Sequence, residues 1–129
     1  MFYLTDDAHD AAQTLEAAAL SAVGSRHEAI ETRARIDLTR ALADDLQPSA
    51  GREAAREARA CLTREGKNDQ ELARLLLAEA SVAYDESKYT EAREECEQAL
   101  EIRGRILPPD DPEIAAALNQ LGVVEIIIQ

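Results

Sequence analysis

The chain has 129 residues, a formal net charge of −12, 46% hydrophobic residues but only 3% aromatic ones, and no tryptophan. That length suits one domain with one core, and its acidity repels phosphate backbones and anionic bilayers, so neither nucleic acid nor a membrane is expected as a partner. Alanine supplies 25 residues while Gly and Pro together supply nine, a composition that predicts an all-α fold of closely spaced helices and excludes a sheet sandwich or a large ligand pocket.

The opening "MFYLTDDAHD" turns acidic by residue 6, with no basic stretch and no long apolar run, so it is not a secretion signal and a cytoplasmic protein is expected. A first helix is predicted over 6–23, ending at "VGS" (23–25), and a second over 26–46, ending in "DDLQPSAG" (44–51), where Ser49 can cap the next helix. A third covers 50–65. It stops at "GKND" (66–69), with Gly66 as the stop and Asp69 as the cap of a fourth helix over 70–86. "DESKY" (85–89) is a tight turn without Pro or Gly, leading to a fifth helix over 89–106. "PPDDP" (108–112) ends that helix and starts a sixth, with Asp111 as cap and Pro112 at its first position. The final "VVEIIIQ" reads as the end of this helix or, as the alternative, as a short strand beside "FYL" at 2–4.

The segments repeat. "DQELARLLLAEA" (from Asp69) and "DPEIAAALNQLG" (from Asp111) share Asp, Glu and Ala at identical offsets. At an offset of 38, Ala54 falls on Ala92, Ala58 on Cys96 and Cys61 on Ala99, and Ala34, Leu38, Leu42 and Leu46 fall on Leu72, Leu76, Ala80 and Tyr84. The helix order and the breaks recur with the residues, which an alanine-rich composition alone does not produce.

Chemistry is sparse. His9 and His27 stand on different helices with no neighbouring Cys, so no metal set forms, and no nucleophile, zinc, phosphate-loop or dinucleotide motif is present. No enzyme activity and no cofactor are expected. Cys61 and Cys96 are read as reduced core thiols. Glu91, Glu94, Glu95, Glu97 and Glu101 read as a solvated face, and Arg52, Arg56 and Arg59 as partners of Glu53 and Glu57 along their own helix.

In "YTEAREECEQALEIRGRILPPDDPEIAAALNQLG" (89–122), Tyr89, Ala92, Ala99 and the Asp-Pro-led next helix resemble a tetratricopeptide repeat, in the longer variety of about 42 residues found in kinesin light chains and many bacterial signalling proteins. Leu118, Leu121 and Gly122 take the large, large and small positions of a first helix, and Gly122, like Ala80, would let helix axes approach. Glu79 and Cys96 depart from the pattern. The resemblance implies a right-handed solenoid of about six antiparallel helices in one domain spanning 1–129: half-repeat 6–23, repeat 26–65, repeat 70–106 and half-repeat 112–129. It further implies a protein–protein interaction module whose concave groove holds a peptide or helix of a partner. Groove residues carried over are Ile36, Thr39, Arg40 and Ala43, then Arg74, Leu77, Ala78 and Ser81, then Asn119, Gln120 and Val123. Asn119 is placed to grip a ligand backbone, and Arg40 and Arg74 to fix a carboxylate. The Lys and Asn set of chaperone-tail adaptors is replaced by Thr39, Ala43, Ala78 and Ala116. The alternative is a structural protein that self-associates into a homo-oligomer through Val123, Val124, Ile126, Ile127 and Ile128, which a terminal solenoid helix would leave without partners.

Overall fold

The computed structural model describes residues 2–25, 28–66 and 68–128, and His27 lies outside them. Six α-helices succeed one another: α1 (Phe2–Ser25), α2 (Glu28–Asp44), α3 (Pro48–Glu65), α4 (Asp69–Asp85), α5 (Tyr89–Ile106) and α6 (Pro112–Ile128). Among the described residues there is no strand. Residues 2–4 are helical, as is "VVEIII", which overturns the terminal-strand alternative. A helix already started at Asp111–Pro112 extends at one backbone bond per residue, whereas a lone strand has no edge to pair with.

Helix ends differ from expectation in informative ways. Asn68, rather than Asp69, caps α4: its side chain accepts from the Glu71 N–H at 3.1 Å, leaving Asp69 in the first turn, where it favours the helix dipole. Gln47, rather than Ser49, precedes α3, with Pro48 at the first position. Asp111 does start α6, its Oδ1 accepting from Glu113 N–H at 2.9 Å. Gly66 stops α3 at φ +100, a conformation that favours glycine. The α2 and α4 ends share one geometry built without glycine. Leu46 and Ser87 take φ 57 and 63. At each end two backbone bonds close the turn: Leu46 N–H to Ala43 O and Gln47 N–H to Leu42 O, then Ser87 N–H to Tyr84 O and Lys88 N–H to Ala83 O.

Those ends fix the phase of the repeat. Leu46 and Ser87 are 41 residues apart, as are Pro48 and Tyr89, the first residues of α3 and α5. At the same spacing buried positions coincide: Gly51 with Ala92, Ala55 with Cys96, Ala58 with Ala99. The offset of 38 is therefore superseded; its Ala-on-Ala matches came from composition.

The helices stack in layers. Ala12, Leu38, Ala41 and Ala54 join α1, α2 and α3; Ile36, Ala58, Leu62 and Leu75 join α2, α3 and α4; Leu76, Ala80, Cys96, Ala99, Ala117 and Val124 join α4, α5 and α6. Gly51 is the close approach: a Cβ there would lie 2.9 Å from Val82 Cγ2. Gly122, expected to serve that purpose, faces open space, and Leu118 is exposed. Both lie on a flank of α6 that no helix covers among the described residues.

Arginines tie the layers together. Arg33 grips Glu71 (Nη2 to Oε1, 2.7 Å), Arg59 grips Glu79 (2.5 Å), and Arg52 spans Glu86 (2.8 Å) and Glu91 (3.2 Å). The pairs expected along α3 are thus replaced by pairs between helices, Glu57 being taken by Arg35. Glu79, at a position where the repeat favours an apolar residue, is buried against Arg59. Glu31 is likewise buried. Burial opposes its ionised form, but hydrogen bonds from the Cys61 thiol (3.1 Å) and Arg35 (2.9 Å), with Arg64 nearby, outweigh it and hold its pKa down.

Candidate functional site

The even-numbered helices lie side by side, α2 against α4 and α4 against α6. Across them runs a groove of about 450 Å3. From α2 come Arg40, Ala43 and Asp44; from α4, Ala80, Ser81, Tyr84 and Asp85; from α6, Ala116, Asn119, Gln120, Val123 and Val124. The α2 and α4 contributions are the same positions, since Arg40 and Ser81, Ala43 and Tyr84, and Asp44 and Asp85 are each 41 residues apart. The repeat itself builds this surface: small residues at the floor bring the helices close, and the exposed edges carry polar groups.

One wall is held by a hydrogen-bonded chain. Arg40 Nη2 donates to Gln120 Oε1 (3.0 Å), and Gln120 Nε2 donates to Leu77 O (2.8 Å) and Ser81 Oγ (3.1 Å). Ser81 Oγ donates in turn to Leu77 O (3.2 Å). Gln120 is thereby a bridge from α6 to α4 and α2, its amide already engaged. Asn119 beside it is exposed and has no partner among the described residues. At the other end the α2 and α4 C-termini bring Asp44 and Asp85 together. Burial pushes the Asp85 carboxyl above its ordinary value, with Asp44 and Glu86 adding to the effect.

Of the residues expected in the groove, Arg40, Ala43, Ser81, Asn119, Gln120 and Val123 line it. Thr39 and Leu77 do not. Thr39 is 0% exposed, with Oγ1 donating to Arg35 O at 2.9 Å, and Leu77 is 3% exposed in the core. Ile36 and Ala78 are also buried. Arg74 lies away from the groove, paired with Glu71 (3.7 Å) and Glu113 (3.6 Å). The misplacement starts on α2, where Ile36 and Thr39 face the core, and on α4 the offset of 38, three residues from the true one, adds a net turn of about 60°. Tyr84, Asp44 and Asp85 also escape sequence reasoning. The signal is present in "LADDLQP" and "AYDESKY", whose acids precede the next helix at equal distance.

The apolar set at the C-terminus divides. Val124 is 2% exposed and packs in the core, whereas Val123, Ile126, Ile127 and Ile128 are exposed, Ile126 by 74%.

Residues 71–126, from the first turn of α4 to near the end of α6, match the family model described as tetratricopeptide repeat. With its six stacked helices, the chain is an all-α, tetratricopeptide-like helical repeat. No curated protein and no solved structure matches it. Among the described residues no helix is long and apolar enough to cross a membrane.

Proposed function

We propose that this protein is a non-enzymatic interaction module that holds a peptide or helix of a partner protein in the groove across α2, α4 and α6. One observation carries this reading: successive repeats place equivalent residues along a continuous groove, its floor apolar and its rim polar, with Asn119 exposed and unengaged. An Asn amide both donates and accepts, which suits an extended backbone. The 43 residues from Asp69 to Pro112, the first residues of α4 and α6, favour the longer repeat variety. The buried, unpaired Cys61 and Cys96 agree with a cytoplasmic setting. Random-peptide display on the whole chain tests the reading. Binders are expected whose affinity is lost in Ala116→Trp, which plugs the groove from an exposed position, and kept in Ile126→Glu, outside it. Recovery of only plug-insensitive binders, or of none, would refute it.

A second reading rests on the end of α6, where Val123, Ile126, Ile127 and Ile128 are exposed. Exposed apolar side chains concentrated at one helix end favour self-association. Light scattering over a concentration series is expected to show a dimer or larger species that Ile126→Glu with Ile127→Glu converts to monomer; a wild-type monomer at every concentration ends this reading.

A further inference from the structure

Four carboxylates stand where α2 and α4 end: Asp44 and Asp45 at one helix end, Asp85 and Glu86 at the other. Two have partners within the chain. Asp45 accepts from His9 (3.0 Å) and from Gln47, and Glu86 pairs with Arg52 (2.8 Å) and Lys88 (3.7 Å). The other two, Asp44 and Asp85, line the groove and have no partner among the described residues. Arg40, one turn before Asp44 on α2, points its guanidinium at Gln120 instead. Asp85 Oδ2 is closed off from solvent and accepts no hydrogen bond.

This arrangement works against the fold on three counts. A carboxylate at a helix C-terminus meets the negative end of the dipole, and neither α2 nor α4 has a basic residue in its last turn. Two like charges repel. A buried acceptor without a donor forfeits its hydration. The same choice is nevertheless made twice, 41 residues apart, at equivalent positions of two repeats. Beside the acids lie Ala43, Ala80, Tyr84 and Val123, an apolar floor for the stem of a long side chain.

We infer that the Asp44–Asp85 end of the groove is a pocket for a basic side chain, arginine in preference to lysine, on the partner segment. The inference rests on the groove reading and adds the chemistry of the occupant. A guanidinium presents donors in a planar fork and can serve two carboxylates at once, while an ammonium acts as a point charge. Its charge would offset both Asp residues and both helix ends.

The test uses the groove-dependent peptides from display on the whole chain, those lost in Ala116→Trp. They are expected to share an Arg or Lys at one fixed position next to an apolar residue. Replacing that Arg by citrulline, which keeps shape and removes charge, should weaken binding about tenfold. Asp44→Asn with Asp85→Asn should cost a similar factor for the Arg peptide and nothing further for the citrulline peptide. Thermal melting of that double variant no lower than wild type would show that binding, and not folding, was lost. Groove-dependent peptides without a basic residue at a fixed position, or equal binding by the double variant, would overturn the inference while leaving the groove reading intact. Absence of any groove-dependent peptide would overturn both.

Discussion

Glycine has two opposite roles in this chain, and the difference lies in what surrounds each missing Cβ. At Gly51, on α3, an added methyl meets Val82 Cγ2 at 2.9 Å. Val82 is fully buried and β-branched, so it cannot swing aside. Overpacking of this kind costs about 1–3 kcal/mol, against a gain of about 1 kcal/mol from helix propensity. Gly51→Ala is therefore expected to lower the unfolding free energy by about 1 kcal/mol. At Gly104, on α5, the added methyl meets nothing within 4 Å. Gly104→Ala is expected to raise stability by about 1 kcal/mol, the propensity gain alone. Urea denaturation of the two variants checks both signs, and a stabilised Gly51→Ala would mean that α3 and α4 stand further apart than described. The contrast is invisible in the sequence, because a glycine within a helix reads the same in either setting.

Between helices, the seam where α3, α4 and α5 meet concentrates acids. Glu95 on α5 is partly buried there, with Glu79 and Glu91 beside it and Arg52 and Arg59 opposing them. Burial first, then those two carboxylates, push it up to about 7, and its Oε1 is buried without a partner. It is thus not part of the fully solvated face that its sequence neighbours suggest. A carboxyl whose folded pKa exceeds its unfolded one binds its proton more tightly in the folded state. Its contribution therefore declines as pH rises from the ordinary value of 4.5 to about 7. Asp37 and Asp85, also raised by burial, act with the same sign from lower pH, and Glu31, held down, acts with the opposite sign in acid. Wild type is expected to lose stability as pH rises through that interval, and Glu95→Gln to flatten the slope, as measured by denaturant midpoints. An unchanged slope would place the titration elsewhere. At this scale the sequence is legible in part. Helix number, order and breaks follow from Pro, Gly, Asp and apolar spacing, whereas phase does not, because Leu46 and Ser87 close their turns without the glycine that usually marks them.

For the molecule as a whole, that phase decides how much of the site can be read. Asn119 and Gln120 are legible through the Asp111–Pro112 start of α6. So are Arg40 and Ser81, which happen to sit on the groove under either offset. Thr39 and Leu77 face inward, whereas Asp44 and Asp85, equivalent at the true offset, line the groove. Burial of charge is illegible for another reason: Glu79 and Glu31 become acceptable inside only because arginines reach them, Arg59 from another helix and Arg35 from the next turn. Twelve of the 14 bases are arginine, whose planar fork serves such contacts better than a flexible ammonium.

The unequal neighbourhoods of the helices also set an order of events in time. Among the described residues α4 packs against α2, α3, α5 and α6, while α1 packs chiefly against α2. Contacts between successive helices close short stretches of chain, and ordered structure is expected to accumulate outward from α4 as each added helix finds its surface already waiting. Openings travel the reverse route. Amide hydrogen exchange should be slowest in α4 and fastest in α1, with α6 between them; uniform protection along the chain would mean that the layers melt as one unit.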